Sequence, residues 1–347
     1  MNSAFLKIIT APADERKDLF LTASNRLGVP FQNIEKDFWV CLVLDLLFNF
    51  TEENEPRLLF KGGTSLSKAY SLISRFSEDI DISVFREDLN QSVSLAELET
   101  LSGKQQRKYL ENIKTGCADY IATQLKPRLE RQFNIMLDGE NRDDQIIVFD
   151  HNDPSMQTLL VRYPSVDSNN DGYIVPVVKI ECGARSALDP HRLTSIQPYI
   201  AQEMVGQFDV GNILTIDAER TFWDKVIILH GLRRSFDLKG ELRQDGQRFS
   251  RHYYDVYQLL QSKISENARL DRGLAEHCVR HTKMFFNSSS LDLNNARHGT
   301  FALVPTTKMY DILNRDYIAM REMIFGDVPD FERVIERIRM LQDELNG

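Results

Sequence analysis

The sequence predicts an α+β fold: a mixed sheet with flanking helices, followed by an all-helical C-terminal part. Three observations lead there. Residues 57–85 spell a strand, a glycine turn, a helix and a second strand. Residues 144–183 hold apolar, β-branched runs separated by polar loops. From about Asp217 onward the apolar residues recur at helical spacing. A boundary near residue 210 divides the chain into a 1–210 core domain and a 211–347 helical domain.

Each element has its own signal. From about Asp14 to Phe50 the pattern is helical. Within NIEKDFWVCLVLDLLF, residues Ile34, Phe38, Cys41, Leu42 and Asp45 lie along one largely apolar face, and Asn33 stands where a cap is expected. RLLFKGG (57–63) is a short apolar run ending in glycines, the signature of a buried strand. TSLSKAYSLIS (64–74) opens on two hydroxyls and continues at helical spacing, which predicts a capped helix. IDISVF (80–85) alternates polar and apolar residues, as a strand does. Residues 95–138 are helical and charged, and read as an insertion or lid. DQIIVFD (144–150), QTLLVRYP (157–164) and YIVPVVKIECG (173–183) are expected strands, and DSNNDG (167–172) is a polar loop. DAERTFWDKVIILHGLRR, RHYYDVYQLLQ and FERVIERIRMLQDELN are helical segments of the C-terminal part.

The bulk numbers exclude several classes. With 347 residues, 42% hydrophobic and 27% charged, the chain suits one large or two ordinary globular domains. A net charge of -9 means that any nucleic acid must be met by a local basic patch. Cys41, Cys117, Cys182 and Cys278 are scattered, without CxxC or zinc-finger spacing, so reduced thiols in a cytoplasmic protein are expected. The N-terminal MNSAFLKIITAPADERKD becomes charged too early for a signal peptide. The longest apolar run, FWVCLVLDLLFNF, is interrupted by Asp45 and too short to cross a bilayer.

The chemistry concentrates in FKGGTSLSKAYSLISRFSEDIDISVF, residues 60–85. Asp79 and Asp81 stand two apart on a strand and point to one face. Carboxylates so close repel unless a cation lies between them, and Mg²⁺ takes carboxylate oxygens together with substrate phosphates. The alternative for Asp-x-Asp alone is a solvated strand end. Gly62 and Gly63 permit close backbone approach, and Thr64 and Ser65 open a helix whose first amides favour an anion. That makes a phosphate cradle, or else a plain strand-to-helix turn. It is not a Walker loop, because Gly-Lys-Ser/Thr does not follow at the required spacing. Glu181, in VVKIECG, is the third carboxylate of a two-metal site if its strand lies beside 80–85. Arg185, just beyond, contacts phosphate or caps its loop.

FKGGTSLSKAY, RFSEDIDIS, VKIECGAR, ERTFWDKVIILH and RHYYDVYQL occur in this order, and EKDFWV (35–40) precedes them. Together they resemble the AbiEii-type nucleotidyltransferase toxins, a family that includes the mycobacterial MenT toxins. The resemblance spans about Glu35 to Leu259. It implies a polymerase β-like nucleotidyltransferase core with a helical C-terminal part. The implied reaction transfers a nucleoside monophosphate from an NTP to an acceptor hydroxyl and releases pyrophosphate, with Mg²⁺ or Mn²⁺ as cofactor. It further implies that Lys61 and the Gly62-Gly63-Thr64-Ser65 turn hold phosphates, that Asp79 and Asp81 bind metal, and that Lys225 neutralises the triphosphate. Asp255 positions Lys225 or a substrate. Glu181 takes the third carboxylate place, where related enzymes often carry Asp. Related toxins modify the acceptor end of tRNA and stop translation, and are usually encoded beside an antitoxin. A tRNA acceptor, a cognate antitoxin and a role in phage defence are therefore the implied setting.

Other readings stand beside these. Arg220, Asp224 and Lys225 would also suit a solvated helix face, and Asp255 is spaced to pair with Arg251 at i,i+4. The basic run 231–252, with Arg233, Arg234, Lys239, Arg243, Arg248 and Arg251, is an RNA-backbone surface or a solvated loop. His277 and His281 in HCVRH have zinc-ligand spacing but lack further ligands. The rival functions are a metal-dependent nuclease using Asp79, Asp81 and Glu181, and a non-catalytic nucleotide-binding interaction protein.

Overall fold

The computed structural model describes residues 3–137, 146–167, 175–204, 208–242 and 248–347. The first residues of the expected strand at 144–150 and at 173–183, most of the loop at 167–172, and Arg243 lie outside the described residues. Two compact units emerge. The first comprises Met1–Ala69, Ser77–Val93 and Leu101–Ile216; the second comprises Tyr70–Phe76, Ser94–Thr100 and Asp217–Gly347.

The first unit begins with helices α1 (Ser3–Ile9), α2 (Ala13–Leu27) and α3 (Phe31–Asn49). Strand β1 (Leu58–Lys61), the short helix α4 (Gly62–Lys68) and strand β2 (Asp79–Val84) follow. After α5 (Leu95–Thr100), which belongs to the second unit, come α6 (Gly103–Tyr120) and α7 (Lys126–Met136), joined by a π-helical turn. Strands β3 (Ile147–Phe149), β4 (Thr158–Arg162), β5 (Val177–Gly183), β6 (His191–Ile196) and β7 (Val210–Ile216) complete the unit. The described strands form one sheet in the order β3-β4-β5-β2-β1-β7-β6. The β2–β5 and β1–β7 pairs are parallel and the rest antiparallel, so the sheet is mixed, as the sequence predicts.

Helix α3 packs against β2, β5 and β7. Residues Asn33 to Leu47 are buried without exception, so this helix is a core element rather than a one-faced surface helix. It starts at Phe31, two residues before the expected cap: Pro30 holds the N-cap position, and the Asn33 side chain is buried inside the first turn. Its first turns carry Glu35, Lys36 and Asp37, all buried. Buried charges need partners. Ser165 Oγ and the Val166 amide donate to Glu35 at 2.5 and 2.7 Å. Lys36 Nζ pairs with Glu78 at 2.5 Å. Asp37 pairs with Lys68 Nζ at 2.7 Å and accepts the Tyr199 amide at 2.7 Å. Lys68 also lies 3.9 Å over the Tyr199 ring. Burial pulls the Lys68 ammonium toward neutrality, but the charge and hydrogen bond of Asp37, together with Cys41 and Tyr199, outweigh it and hold it above its usual range.

Helix α4 differs from expectation at both ends. It begins at Gly62 and ends at Lys68, where the sequence pattern runs from 64 to 74. Thr64 does not cap it: its hydroxyl donates to the Asp79 carbonyl and lies 2.8 Å from Ser77 Oγ, from which it can accept. Beyond Lys68 the chain joins the second unit, and Ser71 takes a left-handed φ of 53° that no helix continues through. Strands β6 and β7 were not anticipated, because HRLTSI and VGNILTI lack clean alternation.

The second unit is helical: α8 (Ala218–Lys239), α9 (Ser250–Leu259), α10 (Lys263–Leu270), α11 (Arg272–Phe285), α12 (Thr307–Met320) and α13 (Phe331–Asn346), with α5. Helix α8 packs against α9, α10 and α11, with Trp223 fully buried and its indole N–H donating to the Ala268 carbonyl at 2.9 Å. The segment 74–76 pairs with 323–325: Phe76 N donates to Met323 O at 2.7 Å, and Phe325 N to Ser74 O at 2.8 Å. None of the described helices is long and apolar enough to cross a membrane.

The Asp37–Lys68 pair yields the first prediction. Asp37→Ala leaves Lys68 buried without its counter-charge and is expected to lower stability by about 3–5 kcal/mol. Chemical denaturation followed by Trp39 fluorescence in a Trp223→Phe background checks this, and an unchanged midpoint would refute it.

Candidate active site

Strand pairing assembles the site in the first unit. Lys61, the last residue of β1, faces Asp81 of β2; Asp81 faces Glu181 of β5; Glu181 faces Thr158 of β4. Laterally paired residues share a face of the sheet, so these four form one row. Asp79 and Lys179 pair in the row beside it on the same face. The register therefore places β5 where Glu181 joins the Asp79–Asp81 pair, which sequence alone left open. The alternate residues Ile80, Ile82, Val178 and Ile180 are buried on the opposite face.

Gly62 fits this row by necessity. Its φ of 78° is left-handed, and a Cβ there would overlap the Asp81 carboxylate. The turn can pass this close to Asp81 only without a side chain. Gly63, Thr64 and Ser65 continue the first turn of α4, and Ser65 Oγ donates to Gly62 O at 2.9 Å. A helix of 7 residues has a small dipole; what it offers an anion is the amides of its first turn, which have no intrahelical acceptor. Thr64, through the Asp79 carbonyl and Ser77, ties that turn to the start of β2.

Negative charge is in excess on this face. Burial, then the charges of Glu181, Glu78 and Asp81, push the Asp79 carboxyl up to about 6; Lys179 works the other way. Lys61 Nζ lies 3.7 Å from Asp81 Oδ1, and Lys179 Nζ lies 2.5 Å from Glu181 Oε1. A divalent cation fits by chemistry: hard oxygen donors from two strands share one face, and their mutual repulsion adds to burial in raising the Asp79 carboxyl. Among the described residues, no three His, Cys, Asp or Glu side chains are gathered as a bound metal gathers its ligands. Asp79 has no ion-pair partner among the described residues and Asp81 has only the long Lys61 contact, so these two are the readiest donors to a cation, and Glu181 joins them only by leaving Lys179. Arg185, half-buried just past β5, sits on a loop that Arg86 holds through the Ala184 and Ser186 carbonyls at 3.3 and 2.9 Å.

The second unit contains the other two expected residues. Lys225 on α8 is 6% exposed, which removes the solvated-face alternative. Its Nζ lies 2.7 Å from Asp255 Oδ2. Asp255 on α9 is fully buried and takes Arg75 as a two-pronged partner, Nε to Oδ1 at 2.7 Å and Nη2 to Oδ2 at 2.9 Å. The i,i+4 pairing with Arg251 does not form, because Arg75 and Lys225 occupy both oxygens. Burial opposes the Asp255 charge, but Arg75 and Lys225 outweigh it and hold its carboxyl well below the usual range. Burial pulls the Lys225 ammonium below its ordinary value, Arg75 and Arg251 pull the same way, and Asp255 resists.

Sequence reasoning missed Arg75, which lies inside the quoted RFSEDIDIS, and gave no role to Glu35, Lys36 and Asp37. Three charges embedded in the apolar EKDFWVCLVL run were the available signal. The basic run 231–252 is partly spent within the unit: Arg233 pairs with Asp237 at 2.9 Å and Arg234 with Asp292 at 3.3 Å. His277 Nδ1 contacts Arg220 at 2.8 Å and His281 stacks on Phe285 at 4.5 Å, and among the described residues no third metal-ligating side chain joins them. All four cysteines are free thiols.

The profile of a family described as nucleotidyl transferase AbiEii toxin, type IV toxin–antitoxin system, matches residues 45–337. Among solved structures, the chain is similar to MenT4, a nucleotidyltransferase toxin from Mycobacterium tuberculosis H37Rv, at 15% identity and a TM-score of 0.40, covering 94% of this chain and 97% of that one. No protein of curated function matches the chain.

The Asp79 proton is open to measurement. In the metal-free protein its carboxyl carbon is expected to titrate near pH 6 by NMR, and Glu181→Gln should lower that midpoint by removing the strongest repelling charge. Because the folded value lies above an unfolded one of about 3.9, this group costs stability as pH rises from about 4 to about 6. A midpoint near 4 in the wild type would refute the crowding.

Proposed function

This chain belongs to the AbiEii family of nucleotidyltransferase toxins, and on that premise we propose that it transfers a nucleoside monophosphate from an NTP to a tRNA 3′ end, with Mg²⁺, releasing pyrophosphate. Membership of a type IV toxin–antitoxin family implies a nucleotide substrate and a cognate antitoxin. The observation that carries the reading is Gly62 seated against Asp81, which sets the backbone turn and the first-turn amides of α4 directly beside paired carboxylates.

In this reading the first-turn amides of α4 and Lys61 hold the NTP phosphates, and Arg185 adds a contact. Asp79 and Asp81 hold the divalent ion, and Glu181 joins when released from Lys179. When bound, that ion neutralises the phosphates and favours ionisation of the acceptor hydroxyl. Thr64 fixes the turn and the first carboxylate relative to each other through the Asp79 carbonyl. The acceptor oxygen attacks the α-phosphorus in line, the bond to the bridging oxygen of pyrophosphate breaks, and no covalent bond to the protein forms. Catalysis thus rests on positioning and charge. Lys225 supplies positive charge to the triphosphate. We place the 1–210 segment as the transferase core and 211–347 as the helical domain carrying Lys225 and Asp255, in a cytoplasmic protein of a phage-defence system.

Incubating the protein with Mg²⁺, total RNA and each α-labelled NTP in turn tests this. Label is expected in the tRNA size class from one NTP, reduced about a hundredfold or more by Asp81→Ala. Intact, unlabelled RNA would overturn the RNA-transferase reading, and shortened RNA would point to a nuclease.

A further inference from the structure

We propose that Arg75 is a positioning residue: by occupying Asp255 from one side it makes that carboxylate an anchor for Lys225 and leaves Lys225 with charge to give to the NTP triphosphate. The proposal rests on the reading that Lys225 meets the triphosphate, and it decides what Asp255 does.

Asp255 is not placed to touch a substrate. Its side chain is fully buried, and its oxygens receive Arg75 Nε at 2.7 Å, Arg75 Nη2 at 2.9 Å and Lys225 Nζ at 2.7 Å. Its whole polar surface is committed to two cations, so its role is to hold them. Lys225 spends one of three ammonium donors on Asp255 and keeps two.

The charges give Arg75 its purpose. A Lys225–Asp255 pair alone is neutral and would present little field to a polyphosphate. With Arg75 the trio is net positive, and Arg251 and His252 on α9 bring no negative charge to it. A buried cluster with a surplus cation is costly unless an anion completes it. The guanidinium suits the task because its rigid fork takes both carboxylate oxygens, which a lysine cannot do.

The backbone around Arg75 is fixed accordingly. Arg75 bridges Ile324, Phe76 N donates to Met323 O, and Phe325 N donates to Ser74 O. Tyr254, next to Asp255, donates its hydroxyl to Ser74 O at 3.3 Å, and Arg75 Nη1 reaches the Phe76 carbonyl at 3.3 Å. Arg75 is thus delivered to α9 by a clamped segment.

A double-mutant cycle on triphosphate binding tests the proposal, with fluorescently labelled ATP and GTP plus Mg²⁺ as probes and the full chain as protein. Arg75→Gln is expected to weaken binding about tenfold in the wild type and less than about threefold in a Lys225→Met background. Arg75→Lys, which keeps the charge without the fork and serves if Arg75→Gln does not fold, should fall between, and added methylguanidinium should restore part of the Arg75→Gln loss. Equal losses in both backgrounds, or an Arg75→Gln protein that binds like the wild type, would overturn the proposal. If Lys225→Met itself binds as the wild type does, the role of Lys225 falls first and that of Arg75 with it.

Discussion

Carboxylate crowding on one face of a mixed sheet is the constraint that the rest of the first unit answers. Asp79 and Asp81 share a strand, Glu181 lies beside Asp81 on the next, and Glu78 adds a fourth acid to the chain. Like charges at this spacing destabilise a sheet. The fold offsets this with lysines placed one to an acid: Lys61 toward Asp81, Lys179 on Glu181, Lys36 on Glu78. Asp79 has no ion-pair partner of this kind among the described residues, and burial together with the neighbouring acids raises its carboxyl. A face crowded in this way would be relieved by a cation, and the glycine turn against Asp81 brings the first-turn amides of α4 to the same place.

Buried ionic clusters hold the candidate site residues of both units. In the first, three consecutive charges on α3 each fix a different segment: the loop at 165–166, the residue preceding Asp79, and the end of α4 with Tyr199. In the second, Arg75, Lys225 and Asp255 form one cluster from three separate stretches of chain. Replacing such clusters by apolar side chains of like volume is often neutral or stabilising, so their presence is better explained by what they position than by the stability they add.

The parts legible in the sequence were local. The strand, glycine turn, helix and strand of 57–85 follow from periodicity, and the Asp79–Asp81 pair from its spacing. The order of strands and helices, ending in an all-helical C-terminal part, follows from period, while the mixed-sheet core was implied by the family resemblance. What escaped depends on distance along the chain. Arg75 and Asp255 are 180 residues apart, and Lys36 and Glu78 are 42 apart; each residue alone looks like a solvated charge. Strand β7 escaped because Gly211 and a left-handed Asn212 interrupt its alternation, and β6 because its side chains are mostly polar. The end of α4 was misplaced because the apolar residues after Lys68 keep helical spacing while serving the other unit's core.

Manganese titration of the purified protein, read by electron paramagnetic resonance, tests the central claim without any assumption about substrate or acceptor. The account predicts saturable Mn²⁺ binding that Asp79→Asn and Asp81→Asn each weaken strongly and Lys179→Met does not, since that lysine competes for Glu181. Equal binding by the wild type and both asparagine variants would contradict it.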